Sequence, residues 1–108
     1  MNIYEWCSAG GKNLIEEYFF GLSQYEQTEY RKVREVIDRD GYAAFERLNT
    51  RQIRGKLWEI KISNNRIMYV IAGSDSVYFI HACKKQKGKA EKHEIEKAIN
   101  RAKSEGLI

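Results

Sequence analysis

Two tight turns separate three short apolar segments in the second half of this chain, and this pattern constrains the fold more than any other feature. The segments are Leu57–Ile62, Ile67–Ala72 and Val77–Ala82, and the turns fall at residues 63–65 and 73–76. Runs of β-branched and aromatic residues bounded by Gly, Asn, Asp and Ser predict strands joined by hairpins. We therefore expect a small antiparallel sheet, with the middle segment, apolar on both faces, as its central strand.

The residues on either side of these strands predict helices. Asn13 and Ser23 each precede a helical pattern and have a glutamate three residues later, which is the signature of a capping box. Gly41 fits the end of the second helix. The apolar run at residues 3–7 fits an edge strand, whereas residues 42–54 have no clear pattern. A last helix is predicted by apolar residues at helical spacing, namely Ile95, Ala98, Ile99 and Ala102.

The length and composition place this chain among folded α+β proteins. A chain of 108 residues is expected to form one domain, spanning residues 1–108, with an N-terminal helical hairpin packed on the sheet and a C-terminal helix. The two cysteines, Cys7 and Cys83, match no zinc or redox spacing, so we expect reduced thiols in the cytoplasm. No apolar stretch approaches the ~20 residues that cross a bilayer, so no membrane association is expected.

Basic residues gather at one end of the predicted sheet. Two of them flank the first hairpin turn, a lysine run follows the last strand, and the segment before the first strand adds more. A lysine run alone is ordinarily a solvated loop, but cations held at the end of a rigid sheet neutralise phosphates, which predicts RNA as the ligand. The residues concerned are Arg51, Arg54, Lys56, Lys61, Arg66, Lys84, Lys85, Lys87 and Lys89.

Few other side chains suggest chemistry. His81 lies near the end of the last strand, where a packed histidine is commoner than a catalyst, although a role as general base stays open. Glu59, the only carboxylate inside a predicted strand, is expected to pair with Arg66 or Lys61 across the hairpin. His93 is expected on the polar face of the last helix. Two histidines with no acidic cluster nearby predict no metal site, and no cofactor motif is present.

Four segments occur in a characteristic order. They are L-W-E-I-K-I from Leu57, R-I-M-Y from Arg66, F-I-H-A-C-K-K from Phe79 and E-I-E-K-A-I-N-R-A from Glu94. Together they resemble the RelE/HigB-like toxins of bacterial type II toxin–antitoxin systems, most closely the phage-derived HigB-like subgroup, over roughly residues 45–103. The chain departs from that pattern at residues 82–83, where glycine and phenylalanine are common, and it lacks a threonine-proline pair before the last helix.

The resemblance implies an endoribonuclease that cuts mRNA, commonly on the translating ribosome, and is neutralised by a cognate antitoxin that often has a helix-turn-helix domain. Attack of a 2′-OH on the adjacent phosphate needs a base, an acid and cations, but no metal or cofactor. Two other classes stay open: a small basic RNA- or DNA-binding regulator without catalysis, and a phage accessory protein that binds a host protein. We expect Arg66, Lys61, Lys84 and Lys85 to contact the phosphate at the cleavage position, and His81 is a further catalytic candidate.

Overall fold

A five-stranded mixed sheet with helices on both faces forms the framework of the molecule. A computed structural model describes residues 1–108, and none of its helices is both long and apolar enough to cross a membrane. In chain order the elements are β1 (Asn2–Glu5), α1 (Leu14–Phe20), α2 (Gln24–Asp40), α3 (Tyr42–Arg47), β2 (Thr50–Arg54), β3 (Leu57–Ile62), β4 (Asn65–Ala72), β5 (Ser76–Lys84) and α4 (Gly88–Ser104). The strand order is β1-β5-β4-β3-β2, with β1 parallel to β5 and every other pair antiparallel.

The α+β class is confirmed, and so are the three predicted strands, with β4 at the centre of the sheet. The order of the N-terminal elements differs in part from the prediction. The predicted edge strand is β1, so the helical pair α1–α2 is not the N-terminal element, and the unclear segment at residues 42–54 forms α3 and β2. Parallel neighbours need a long crossover connection, and the helices and strands between β1 and β5 supply it.

Local capping signals fix the helical pair where the sequence predicts it. The Asn13 Oδ1 atom accepts a hydrogen bond from the Glu16 N–H at 2.9 Å, and the Ser23 Oγ atom accepts one from the Glu26 N–H at 3.2 Å. Gly41 ends α2 with a φ of 60°, a left-handed conformation that favours glycine. Both helix starts therefore follow from sequence alone.

The sheet has an apolar layer on each face. The helices α1–α3 cover one face, where Ile15, Phe19, Ile37, Ile60, Ile67 and Phe79 are buried. The helix α4 covers the other face, where Leu57, Met68, Val70, Ile80, Ala98 and Ala102 are buried. Ala98 and Ala102 are fully buried, and their small side chains bring α4 close to the sheet.

A β-bulge changes which residues of β5 share a face. Simple alternation predicts His81 on the same face as Val77 and Phe79, and this prediction is wrong. Met68 pairs with His81 and Tyr69 pairs with Phe79, so the residue between them, Ile80, is extra. A bulge of this kind resets the alternation, so Ile80 and His81 both face α4.

Candidate active site

A row of three residues crosses the sheet on the face that α4 covers. Lys61 on β3 pairs with Arg66 on β4, which pairs in turn with Cys83 on β5. Because neighbouring strands lie about 4.8 Å apart, this cross-strand row spans roughly 10 Å. The N–H of Lys85 donates to the Asn64 carbonyl at 2.7 Å and fixes the lysine loop to the first hairpin turn. The start of β4 and the end of β5 therefore meet, as the sequence predicts.

A cavity of about 190 Å³ opens over this row, between the sheet and the first turns of α4. We refer to it as the basic cavity. A concave site with an excess of one charge attracts ligands of the opposite charge, so the basic cavity favours anions. Its charged lining comprises six basic residues (Arg51, Lys61, Arg66, Lys84, Lys85 and Lys87) and three acidic ones (Glu59, Glu91 and Glu94).

Arg66 is held rigidly at the floor of the basic cavity. Its Nη1 atom donates to the carbonyls of Ser63 at 3.0 Å and Asn65 at 2.8 Å, and its Nε atom lies 3.9 Å from a carboxylate oxygen of Glu59. The other Glu59 oxygen accepts from the Arg51 Nε at 2.7 Å. The expected pairing of Glu59 with Arg66 is confirmed. The Nη2 atom of Arg66 has no protein hydrogen-bond partner, so a donor is free for a ligand.

The two adjacent lysines at the end of β5 have different surroundings. The Lys84 Nζ atom lies 3.5 Å from a carboxylate oxygen of Glu26 on α2, and that same oxygen accepts from the buried Asn65 at 2.6 Å. The hydrogen bond from Asn65 is the largest cause that lowers the pKa of Glu26 to about 2. Lys85 is exposed and has no ion pair. Lys85 is therefore free for a ligand, whereas Lys84 is engaged by α2.

The remaining predicted RNA contacts are divided between two regions. Arg51 and Lys87 line the basic cavity, and Lys87 is the N-cap residue of α4. Lys89 is exposed on the first turn of α4 but does not line the cavity. Arg54 and Lys56 lie at the turn between β2 and β3, outside it, and Lys56 borders a separate aromatic groove.

His81 lies beneath the basic cavity rather than on its surface. The residue is 5% exposed, its Nε2 atom bonds to the Glu94 Oε2 atom, and its Nδ1 atom lies 2.9 Å from the Arg101 Nη1 atom. Because a guanidinium only donates, Nδ1 is the acceptor and Nε2–H donates to Glu94. Burial lowers the pKa of His81, so this arrangement holds a neutral imidazole. The guanidinium of Arg101 also stacks on the Trp6 ring, 4.3 Å from its centroid.

The structure adds an acidic neighbour that the sequence analysis missed. The sequence analysis named no acidic partner for His81, but in the structure His81, Cys83 and Glu94 each bring a ligand atom within 4.8 Å of the others. The set is nevertheless poorly prepared for a metal. The Arg101 contact leaves the proton on Nε2, the atom that faces the other two ligands. Burial raises the pKa of Cys83 to about 12 and keeps it a thiol.

The fold and the basic cavity together define a small α+β protein compatible with the RelE-like fold. The family model for phage-derived Gp49-like proteins matches residues 17–103, from α1 to the end of α4. The chain therefore belongs to this family, a toxin-like member of the RelE superfamily. A comparison with individually curated proteins finds no significant match. The match extends through the helical pair, whose sequence carries no diagnostic residues of its own.

Proposed function

We propose that this protein is the toxin of a type II toxin–antitoxin system and a metal-independent endoribonuclease that cuts mRNA on the translating ribosome. Membership of the Gp49-like family supports the toxin class. The observation that carries the nuclease activity is the convergence of Lys61, Arg66 and Lys85 on one cavity. The resemblance to the HigB-like subgroup supports a helix-turn-helix antitoxin as the partner.

Cleavage by an internal 2′-OH requires cations at the phosphate, and the cations of the cavity support this reaction. The reaction passes through a phosphorane-like state with extra negative charge on the non-bridging oxygens, and donors aimed at those oxygens lower its barrier. Arg66 is fixed to the sheet and has a free Nη2 atom for one such oxygen. Lys85 is exposed at the mouth and supplies a second cation. Loss of one such donor typically costs about 10²–10³ in rate.

The same cations account for RNA binding. Each phosphate contact releases counterions, so affinity falls steeply as salt rises and depends little on base identity. The first turn of α4 opens beside the cavity with no side-chain cap, and its N–H groups add to the positive potential there. We propose that Arg51 and Lys87 contact the RNA backbone, on either side of the catalytic residues Lys61, Arg66 and Lys85.

Cleavage assays test this function. The purified protein is incubated with messenger RNA in a translation reaction, and separately with free RNA in excess chelator, because ribosomes themselves need magnesium. We expect cleavage in translation, chelator-resistant cleavage of free RNA, and products that end in a 2′,3′-cyclic or 3′-phosphate. Products with a 3′-OH, or cleavage of free RNA that chelator abolishes, contradict the mechanism. RNA retention without cleavage in either reaction favours a nucleic-acid-binding regulator.

A further inference from the structure

Three carboxylates line the otherwise basic cavity, and they differ in how they are engaged. Glu59 is 2% exposed and lies between the guanidinium groups of Arg51 and Arg66. Glu91 lies at the rim, 3.6 Å from Arg51. Glu94 pairs with no arginine or lysine; its partner is the imidazole of His81 beneath it, and its side chain is 23% exposed. Of the three, Glu94 is the one that no cation of the cavity neutralises.

Glu94 is a carboxylate at neutral pH. Burial raises its pKa, but the hydrogen bonds from His81 and Cys83 and the nearby Lys97 outweigh burial, so the pKa lies below its usual range. An ionised carboxylate that lines the cavity can accept a proton there. The titratable or charged groups around it are His81 and Cys83 on β5, Lys97 and Arg101 on α4, and Tyr18 on α1.

The cross-strand row places Glu94 and Lys61 at opposite ends of the cavity. Glu94 lies over the β5 end, beside Cys83, whereas Lys61 lies two strands away on β3, with Arg66 between them. In-line displacement puts the attacking and leaving oxygens on opposite sides of the phosphorus. With a hydrogen bond of ~2.8 Å at each side, base and acid lie roughly 9 Å apart, close to the ~10 Å length of the row.

We propose that Glu94 is the general base of RNA cleavage, that Lys61 is the general acid, and that Arg66 holds the phosphate between them. This inference rests on the proposed ribonuclease function. The proton of the 2′-OH passes to Glu94 as the O2′–P bond forms. The P–O5′ bond breaks, and the 5′ oxygen takes a proton from the Lys61 ammonium. His81 is a positioning residue that holds the Oε2 atom of Glu94, and Arg101 in turn orients the His81 ring.

The test compares Glu94→Gln with Glu91→Gln. Both residues line the same cavity on the same helix, three positions apart, and both variants remove one negative charge. We expect Glu94→Gln to lower the single-turnover cleavage rate by about 10²–10⁴-fold, the usual contribution of a general base. Affinity for RNA with a 2′-deoxy sugar at the cleavage position, which binds but cannot react, should not fall. Glu91→Gln should cleave at nearly the wild-type rate.

The pH profile separates a base from a structural residue. The wild-type rate should fall on the acidic side as Glu94 is protonated, and Glu94→Gln should lose this acidic limb. Glu94→Asp, which keeps the charge but retracts it, should be slower and keep the limb. His81→Leu removes the hydrogen bond that lowers the pKa of Glu94, so its acidic limb should move to higher pH.

Each outcome has a defined meaning. If the wild type cleaves and Glu94→Gln cleaves equally fast or keeps the acidic limb, Glu94 is not the base, although the ribonuclease function stands. If the wild type cleaves no RNA, free or on ribosomes, the proposed function fails and the assignment of Glu94 fails with it. Thermal melting checks that the variants are folded. If Glu94→Gln does not fold, the rate and acidic limb of Glu94→Asp decide.

Discussion

At the scale of single residues, Arg66 shows how one side chain serves both the fold and the site. Its side chain is 12% exposed and shares the buried Glu59 carboxylate with Arg51. Replacing Arg66 with alanine leaves that carboxylate with one partner, and a poorly satisfied buried polar group costs about 1–3 kcal/mol. Loss of activity in that variant would therefore mix two effects, lost phosphate binding and lost stability.

Lys85 offers the cleaner test of the cations. It is exposed and unpaired, so Lys85→Ala should change the free energy of unfolding by no more than about 0.5 kcal/mol. The rate should fall by ~10²–10³-fold, because a donor to the transition state is lost. The matched control is Lys103→Ala, an exposed lysine near the far end of α4. Growth arrest on expression, cleavage rates and thermal melts measure both effects, and full activity of Lys85→Ala would remove it from the site.

His81 should make stability depend on pH. Burial lowers its pKa in the folded protein below the ordinary value of 6.5, so the unfolded chain binds more protons over that interval. The stability of the folded protein is therefore undiminished by His81 above about pH 6.5. As the pH falls from there towards the folded pKa, His81 lowers the free energy of unfolding. Urea unfolding from pH 8 to pH 5 should show wild type losing stability relative to His81→Gln. A difference between the two proteins that is constant across this range would contradict the prediction.

At the scale of elements, local patterns and long-range pairings were not equally predictable. The helix starts at Asn13 and Ser23 depend on hydrogen bonds within one turn, so the sequence specifies them. The bulge at Ile80 depends on how β5 meets β4, and no residue nearby signals it. The position of Glu94 over His81 depends on which turn of α4 rests on β5. These features arise only when segments distant in sequence pack together. They determine that Glu94 lies in the cavity, where it is the candidate general base.

The close approach of α4 to the sheet should be sensitive to side-chain volume. Ala98 is fully buried against the sheet. Ala98→Leu should destabilise the fold by about 1–3 kcal/mol, because an overpacked core must shift. The control is Glu96→Leu, which adds an exposed leucine to the same helix and should change stability little. Chemical unfolding measures both variants, and an Ala98→Leu protein as stable as wild type would mean that α4 is loosely packed.

At the scale of the whole molecule, the two faces of the sheet have different parts to play. The face that α1–α3 cover is largely an apolar core, whereas the face under α4 holds a smaller core and, beside it, the basic cavity. The convergence of cations was predictable, because antiparallel strands bring the start of β4 beside the end of β5. The sequence could not predict which of these cations remain without an ion pair. Lys84, for example, contacts Glu26, which lies on a helix distant in sequence.

The arrangement of the basic cavity also predicts how a partner neutralises the protein. Expression alone should arrest bacterial growth, and co-expression with the product of the adjacent gene should restore growth and yield a stable complex. An acidic segment that covers the cavity would block RNA without changing the fold. A segment that displaces α4 would instead remove Glu94 from the cavity and expose the buried Ala98 and Ala102.

Two measurements on the complex distinguish these arrangements. If the partner covers the cavity, chemical labelling of Lys85 should fall on binding while that of Lys103 stays unchanged, and backbone amides of α4 should exchange no faster than in the free protein. If the partner displaces α4, those amides should exchange faster, because the helix loses its packing against β5. The cavity is open and strongly charged, whereas Ala98 and Ala102 of α4 are fully buried against the sheet, so we expect covering, with protection of Lys85. A neighbouring product that neither binds nor restores growth would contradict the toxin–antitoxin assignment.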